Sequence, residues 1–216
     1  MEKINYQKKL DGLLEKIKGS SVRPKLLLHS CCAPCSSYVL EYLSGYFHII
    51  LFYYNPNISP KEEFEKRTRE LQRLVGEMPL EDKPEIIVGE YEPERFYEIA
   101  KGLEDLPEGS DRCFRCYRLR LEKAAVLAKQ LGADYFTTTL SISPYKNAQK
   151  LGEIASELEG IYDVKALPSD FKKKEGYKRS IELSAQYDLY RQDYCGCIYS
   201  KAERDRKNRE KNSSCG

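Results

Sequence analysis

Seven of the eight cysteines in this 216-residue chain fall into three tight groups: Cys31-Cys32-Ala-Pro-Cys35, Cys113-Phe-Arg-Cys116 and Cys195-Gly-Cys197. An i, i+3 pair at the start of a helix sets both sulfurs on one side of the first turn. There the unpaired backbone N–H groups and the helix dipole favour thiolate, the form that binds metal. Pro34 is suited to open the first such helix, and Ser110 or Asp111 to cap the second. Gly196 lets the backbone bend so that Cys195 and Cys197 face one point. Cys215, one residue from the end, stands apart from these groups.

Four cysteines make either a zinc site or an iron–sulfur cluster, and a dithiol can do redox chemistry. Zinc ribbons keep their two C-x-x-C pairs within about 20 residues. Here more than a third of the chain lies between Cys35 and Cys113, so the whole fold must assemble the site. A structural zinc also gives no purpose to a fifth, sixth and seventh thiol. A cluster, with surplus thiols for a second metal or a redox dithiol, uses all seven. Structural zinc and pure thiol–disulfide exchange stay open as alternatives, the last without the Trp-Cys lead-in of thioredoxin-like chains.

Composition narrows the class. Secreted disulfide scaffolds are short, whereas this chain is long enough to bury a core without staples. Its start, MEKINYQKKLDGLLEKIKG, has no apolar h-region or cleavage-like site, and no segment nears the roughly 20 apolar residues of a membrane span. The expectation is a cytoplasmic protein with no membrane partner. A net charge of +2 creates no global field for nucleic acid. Two local runs are basic: Asp170–Ser180, which includes Lys172, Lys173 and Lys174, and a tail from Lys201. Each reads as a solvated face or as a phosphate contact.

Positioning the thiols falls to an alternation of strands and helices. Residues 4–18 read as a helix, with Leu10, Leu13, Leu14 and Ile17 on one face. Strands are expected at 25–29, 47–53, 85–88, 134–139 and 164–167. Helices fall at about 34–43, from 59 past Val75, and at 92–102, 112–131, 147–159 and 177–190. Apolar strands between amphipathic helices indicate a parallel sheet covered on both faces. Right-handed crossovers then give an α/β, doubly wound, mainly parallel five-stranded fold, Rossmann-like, with a relation to the PP-loop/HUP folds left open. No repeat or linker divides it, so residues 1–216 read as a single domain, with the helix at about 4–18 and the basic tail at about 201–216 as appendages. In such a fold the crevice lies beyond the carboxyl ends of the strands. The stretch HSCCAPCSS opens onto it.

The motifs LLLHSCCAPCSS, LFYYNPNISPKEEFEKR, DRCFRCYRLRLEKAA, TTTLSISPYKN and YCGCIYS span about Lys25 to Ser200, and together they resemble the QueH-type epoxyqueuosine reductases. The resemblance implies a cobalamin-independent oxidoreductase of queuosine biosynthesis. It would reduce epoxyqueuosine to queuosine at the wobble position of tRNAs with GUN anticodons. It implies a [4Fe-4S] cluster, with Cys32, Cys35, Cys113 and Cys116 as ligands. Cys31, Cys195 and Cys197 then become candidates for a second mononuclear iron or a redox pair. Such a tRNA, an external electron donor and a monomeric chain complete the expectation.

Epoxide to alkene removes one oxygen as water and takes two electrons and two protons. A cluster delivers one electron at a time, so a second iron or a Cys195/Cys197 dithiol gives the surplus thiols a purpose. Candidates for proton or hydrogen-bond delivery are His29 at the end of the first strand, Asp111, Tyr117 and Tyr145. Tyr53, Tyr54 and Tyr194 are candidates to stack an anticodon-loop base. Arg112 and Arg115, with Arg118 beside them, are expected to meet phosphates, as are Lys172, Lys173 and Lys174. One rival is a PP-loop tRNA-modifying enzyme, which needs a Gly-rich, Ser-bearing loop where the cysteines stand. The other is a non-catalytic, zinc-stabilised RNA-binding module.

Overall fold

In the computed structural model, which describes residues 4–20 and 22–213, α1 (Tyr6–Lys18) leads into the first strand, β1 (Lys25–Ser30). β1 is apolar at consecutive positions because both its faces are covered: Leu26 and Leu28 enter one core and Leu27 the other. Helices then return the chain for each parallel strand. The order is α2 (Ala33–Leu43), β2 (His48–Tyr53), α3 (Lys61–Glu77), β3 (Glu85–Val88), α4 (Pro93–Ala100), α5 (Asp111–Gln130) and β4 (Tyr135–Thr138). It continues through α6 (Ala148–Tyr162), β5 (Lys165–Ala166), α7 (Gly176–Gln186) and α8 (Ile198–Ser213).

The sheet order is β3-β2-β1-β4-β5 and every pair is parallel, as expected of a doubly wound fold. One core packs α1, α2 and α3 on the sheet through Leu10, Leu14, Val39, Leu40, Leu71 and Leu74. The other packs α5 and α6 through Leu121, Ala124, Ala125, Leu151, Ile154 and Leu158. From β1 the chain winds outward through β2 and β3, then crosses back to lay β4 on the other side of β1. The loops after β1 and β4 therefore leave in opposite directions, and a crevice opens between them.

Three local features differ from the expectation. β4 stops at Thr138 because Thr139–Ile142 winds into a 3-10 turn whose start is capped by the Thr138 hydroxyl, an acceptor for Leu140 N–H. β5 is only two residues long: Leu167 N–H still donates to Phe136, but Pro168 then has no N–H to continue the ladder. The basic tail is ordered as helix α8 through Ser213, and Cys215 lies outside the described residues. Among the described residues no helix is long and apolar enough to cross a membrane.

The two-faced burial of β1 is directly testable. Replacing fully buried Leu27 with alanine should lower the unfolding free energy in urea by about 2–5 kcal/mol. A loss under about 1 kcal/mol would be inconsistent with a packed second core.

Candidate metal centre

The chain turns at Ser30 from β1 into the cysteine loop. Cys31 fastens this turn across the crevice to the end of β4: its N–H donates to Thr139 Oγ1 at 3.1 Å, and the Thr139 hydroxyl donates to Cys31 Sγ at 3.3 Å. Cys32 is the N-cap of α2, and its Sγ accepts the Cys35 N–H at 3.4 Å. A sulfur here does the work usually given to Ser or Asp, satisfying an unpaired N–H of the first turn. Cys31 and Cys32 Sγ are 3.8 Å apart, and the sulfurs of Cys31, Cys32 and Cys35 all lie within 4.8 Å of one another. The trio could hold a metal ion.

Proton sharing inside the trio is unequal. Thiol hydrogen bonds from Cys31 and then Cys35 hold Cys32 well below the usual thiol range. The same bond to Cys32 pushes Cys31 up to about 11, and bonds to Cys31 and Cys32 raise Cys35. The geometry thus supports a thiolate at Cys32 flanked by two thiol donors.

The other four thiols are near enough that Cys195, Cys197 and Cys113 act electrostatically on Cys116. Cys113 and Cys116 sit one turn apart on α5, and Cys113 Sγ accepts Gly109 N–H at 3.3 Å. Cys197 precedes α8, and its Sγ accepts Ser200 N–H at 3.3 Å. Gly196 has φ +119, a conformation suited to glycine; a Cβ there would meet Ile58 at 2.9 Å and Arg67 at 3.0 Å. Burial pushes Cys116 up to about 12, with Cys195, Cys197 and Cys113 adding to the rise, and burial also raises Cys113 and Cys197. None of the seven described cysteines is in a disulfide.

Three buried cations face these sulfurs. Arg120 lies one turn beyond Cys116 on α5 and is 2% exposed. Burial works against its charge, but Cys116, Cys31 and Cys195 more than offset that. Lys146 Nζ is 3.2 Å from Cys195 Sγ and 2.6 Å from Glu108, and these two keep it charged against burial. Arg67 donates to Glu63 and to the Cys195 carbonyl. Three buried polar atoms around the thiols have no partner: Tyr117 Oη, Arg67 Nη2 and Gln192 Oε1. Sulfurs capped by backbone N–H, neighbouring cations and open polar atoms are what an anionic metal–thiolate group requires. The donor set therefore fits iron or zinc.

Above the trio lies a cleft of about 600 Å³, lined by Cys31, Cys32, Cys35, Cys195, Arg120 and Lys146 on its inner side and by α8 on its outer side. His29 is fully buried near the end of β1. The Thr138 hydroxyl donates to its Nδ1 at 2.8 Å, and Nε2 donates to the Tyr54 carbonyl at 3.0 Å. Burial, then the Arg120 charge, takes its pKa down to about 3, so the ring is neutral and fixed. Asp111 is exposed at the start of α5. Tyr117 is buried beside Cys113 and Cys195, whereas Tyr145 stands at the cleft mouth.

Several expected RNA contacts are turned elsewhere. Tyr53 and Tyr54 are buried in opposite cores, because alternate strand residues face opposite covered sides, and neither ring is open to a base. Arg112 is also buried: its guanidinium binds the carbonyls of Leu103, Glu104 and Leu106 and stacks over Tyr199. Arg115 is exposed, and Arg118 pairs with Glu157 of α6 at 2.6 Å. Lys172 pairs with Asp170 and Lys174 with Asp11, while Lys173 is exposed; none of the three lines the cleft. Sequence reasoning passed over Thr139, Lys146, Glu108, Gln192 and Arg67. Lys146 was within reach, inside TTTLSISPYKN, and Arg120 is the i+4 partner of Cys116.

Fold and site together define a doubly wound α/β protein with a thiol-rich, metal-competent centre at its topological switch point. Residues 26–203 match the family model described as epoxyqueuosine reductase QueH. The chain is 42% identical over 201 residues to the epoxyqueuosine reductase QueH of Streptococcus pyogenes serotype M1, covering 92% of this chain and 79% of the relative. It is 44% identical over 203 residues to that of Staphylococcus epidermidis, covering 92% and 85%. To that of Thermotoga maritima it is 37% identical over 191 residues, covering 86% and 94%. The chain belongs to the epoxyqueuosine reductase QueH family.

The buried state of His29 has a pH signature. Its folded pKa lies below the unfolded value of about 6.5, so between pH 6.5 and about 3 the unfolded chain binds more protons and stability falls as pH falls. The slope attributable to this one group approaches about 1.4 kcal/mol per pH unit. Denaturation of His29→Gln across this range should show a slope shallower by about that amount. An identical slope would show that the imidazole titrates normally.

Proposed function

We propose that this chain reduces epoxyqueuosine in tRNA to queuosine, a two-electron deoxygenation in which the epoxide oxygen leaves as water. The observation that carries this reading is the gathering of seven thiols from three distant segments at the switch point of the sheet, four of them lining the cleft. Bound there, an iron–sulfur cluster would supply electrons one at a time, and a second iron would supply a Lewis acid for the epoxide oxygen. Sulfurs around one ion sit closer together than those at the corners of a cluster. The compact trio Cys31, Cys32 and Cys35 therefore suits a single iron, which leaves Cys113, Cys116, Cys195 and Cys197 for a [4Fe-4S] cluster. This partition departs from the one the resemblance implies, in which Cys32 and Cys35 join Cys113 and Cys116.

The chain's own groups have definable tasks in this reading. Arg120, between the two thiol groups, balances the negative charge of both. Lys146 holds a proton at the cleft wall beside Cys195, and half-buried Glu108 connects it toward solvent. Thr139 and the capped N-terminus of α2 fix the trio's orientation. His29 serves as a neutral strut rather than a proton donor. An external electron donor, a monomeric chain and a cytoplasmic setting, where thiols stay reduced, belong to the same reading.

Anaerobically purified, iron-loaded protein with a strong reductant should convert epoxyqueuosine in tRNA to queuosine, seen by mass spectrometry as loss of one oxygen from the nucleoside. Fully loaded protein that leaves the epoxide intact would refute the function. On the ligand partition, Cys35→Ala should lose about one iron per chain and keep the brown cluster absorbance, whereas Cys116→Ala should lose that absorbance. If both variants lose the same iron, the two-site partition is wrong.

A further inference from the structure

Tyr145 is 76% exposed, more than any other large hydrophobic side chain among the described residues. Its backbone is not loose. Tyr145 N–H donates to Ser143 Oγ at 3.3 Å and Lys146 N–H to the Ser143 carbonyl at 3.2 Å, while Asn147 caps α6 by accepting Lys150 N–H at 3.1 Å. The next side chain, Lys146, turns inward to Cys195. The ring of Tyr145 is thus held out at the mouth of the cleft by a loop whose neighbouring residue reaches the thiols. Three other tyrosines already carry a cation at the ring: Tyr194 has Arg67 and Arg204 near it, Tyr199 has Arg112 and Tyr190 has Lys66.

The outer wall of the same cleft is α8. Ser200, Glu203, Arg204, Lys207, Asn208 and Lys211 line the cleft from one helical side, where three cations outnumber one carboxylate. A partner that offers a bare aromatic face beside a run of negative charge fits both features. A single-stranded RNA loop has that chemistry, since unstacked bases seat on aromatic rings while phosphates meet Lys and Arg.

We propose that Tyr145 is the platform on which an unpaired base of the RNA substrate stacks, with Lys207 on α8 taking an adjoining phosphate. The stacked loop is then anchored at the cleft mouth, with the nucleotide to be reduced directed down toward Cys31, Cys35 and Cys195. Tyr145 is a positioning residue for substrate, and its hydroxyl has no part in the role. This inference rests on the tRNA-reductase reading above and names the surface that reading needs.

The test is binding of an anticodon stem-loop RNA to iron-loaded protein, measured by fluorescence anisotropy over a salt series for wild type, Tyr145→Ala, Tyr145→Phe and Lys207→Gln. Iron content and the absorption spectrum of each are recorded and should not change. Tyr145→Ala should weaken binding roughly 5- to 150-fold, the stacking of one base expressed as affinity. Tyr145→Phe keeps the ring and should bind within about threefold of wild type. Lys207 is exposed and paired with Glu203 on its own helix, so its removal costs the fold little. Lys207→Gln should reduce the slope of log affinity against log salt by about 0.7–1. Wild-type affinity in Tyr145→Ala overturns the stacking role, as does an equal loss in Tyr145→Phe, which would assign the hydroxyl. An unchanged slope in Lys207→Gln removes the α8 contact. Wild type that reduces the nucleoside while Tyr145→Ala binds normally defeats this inference alone, and wild type that neither binds nor reduces defeats both readings.

Discussion

Arg120 is the charge on which the centre turns. A guanidinium buried without partners would cost several kcal/mol, so it persists only where anionic or polar groups surround it. Here Cys116, Cys31 and Cys195 lie within its field, and Asn55 Oδ1 accepts from its Nη2. Asn55 in turn donates to the Ser30 carbonyl at 3.0 Å. One side chain from α5 is therefore tied through the loop after β2 to the end of β1, where the cysteine loop begins. The charge of Arg120 opposes the rise that burial imposes on Cys116, and those sulfurs in turn favour its charge.

The location follows from the sheet. In open α/β folds the first loop beyond β1 meets a helix N-terminus, a ready site for negative charge. Many proteins place a Gly-rich phosphate loop there. This chain places Cys32 there as the cap, and its sulfur takes up the α2 N–H that a phosphate oxygen would otherwise receive. Cys197 repeats the device before α8, and Cys113 takes Gly109 N–H at the start of α5. Helix starts aimed at sulfur thus hold Cys32 and Cys197, and the cysteine loop after β1 leaves no Gly-rich cradle for a nucleotide triphosphate.

Charge in this chain divides between interior ties and surface. Arg112 closes the Leu103–Leu106 segment over Tyr199, Lys174 joins the loop before α7 to α1 through Asp11, and Arg118 joins α5 to α6. These residues look alike in sequence to the basic face of α8, yet only the latter borders the cleft. The two aromatic candidates on β2 and just after it, Tyr53 and Tyr54, were likewise spent on packing, while Tyr145 was left in solvent.

What the sequence determined by itself was whatever depends on local period or on rare residue types. Runs such as Lys25–Leu28 and Phe47–Tyr53, alternating with amphipathic helices, specify strands covered on both faces, and from these the parallel doubly wound sheet follows. Three cysteine groups at helix-start spacing announced thiolate chemistry, and their motif set pointed to the family. What only the tertiary structure decided was which sulfurs meet: Cys31 with Cys32 and Cys35. It also decided that Arg120 and Lys146 face the sulfurs while the Arg112 guanidinium binds the Leu103–Leu106 carbonyls, and that α8 forms a wall. The reason is physical. Period and spacing are fixed within a few turns of chain, whereas burial and the direction of a side chain depend on elements packed from far along the sequence, and no local pattern encodes that.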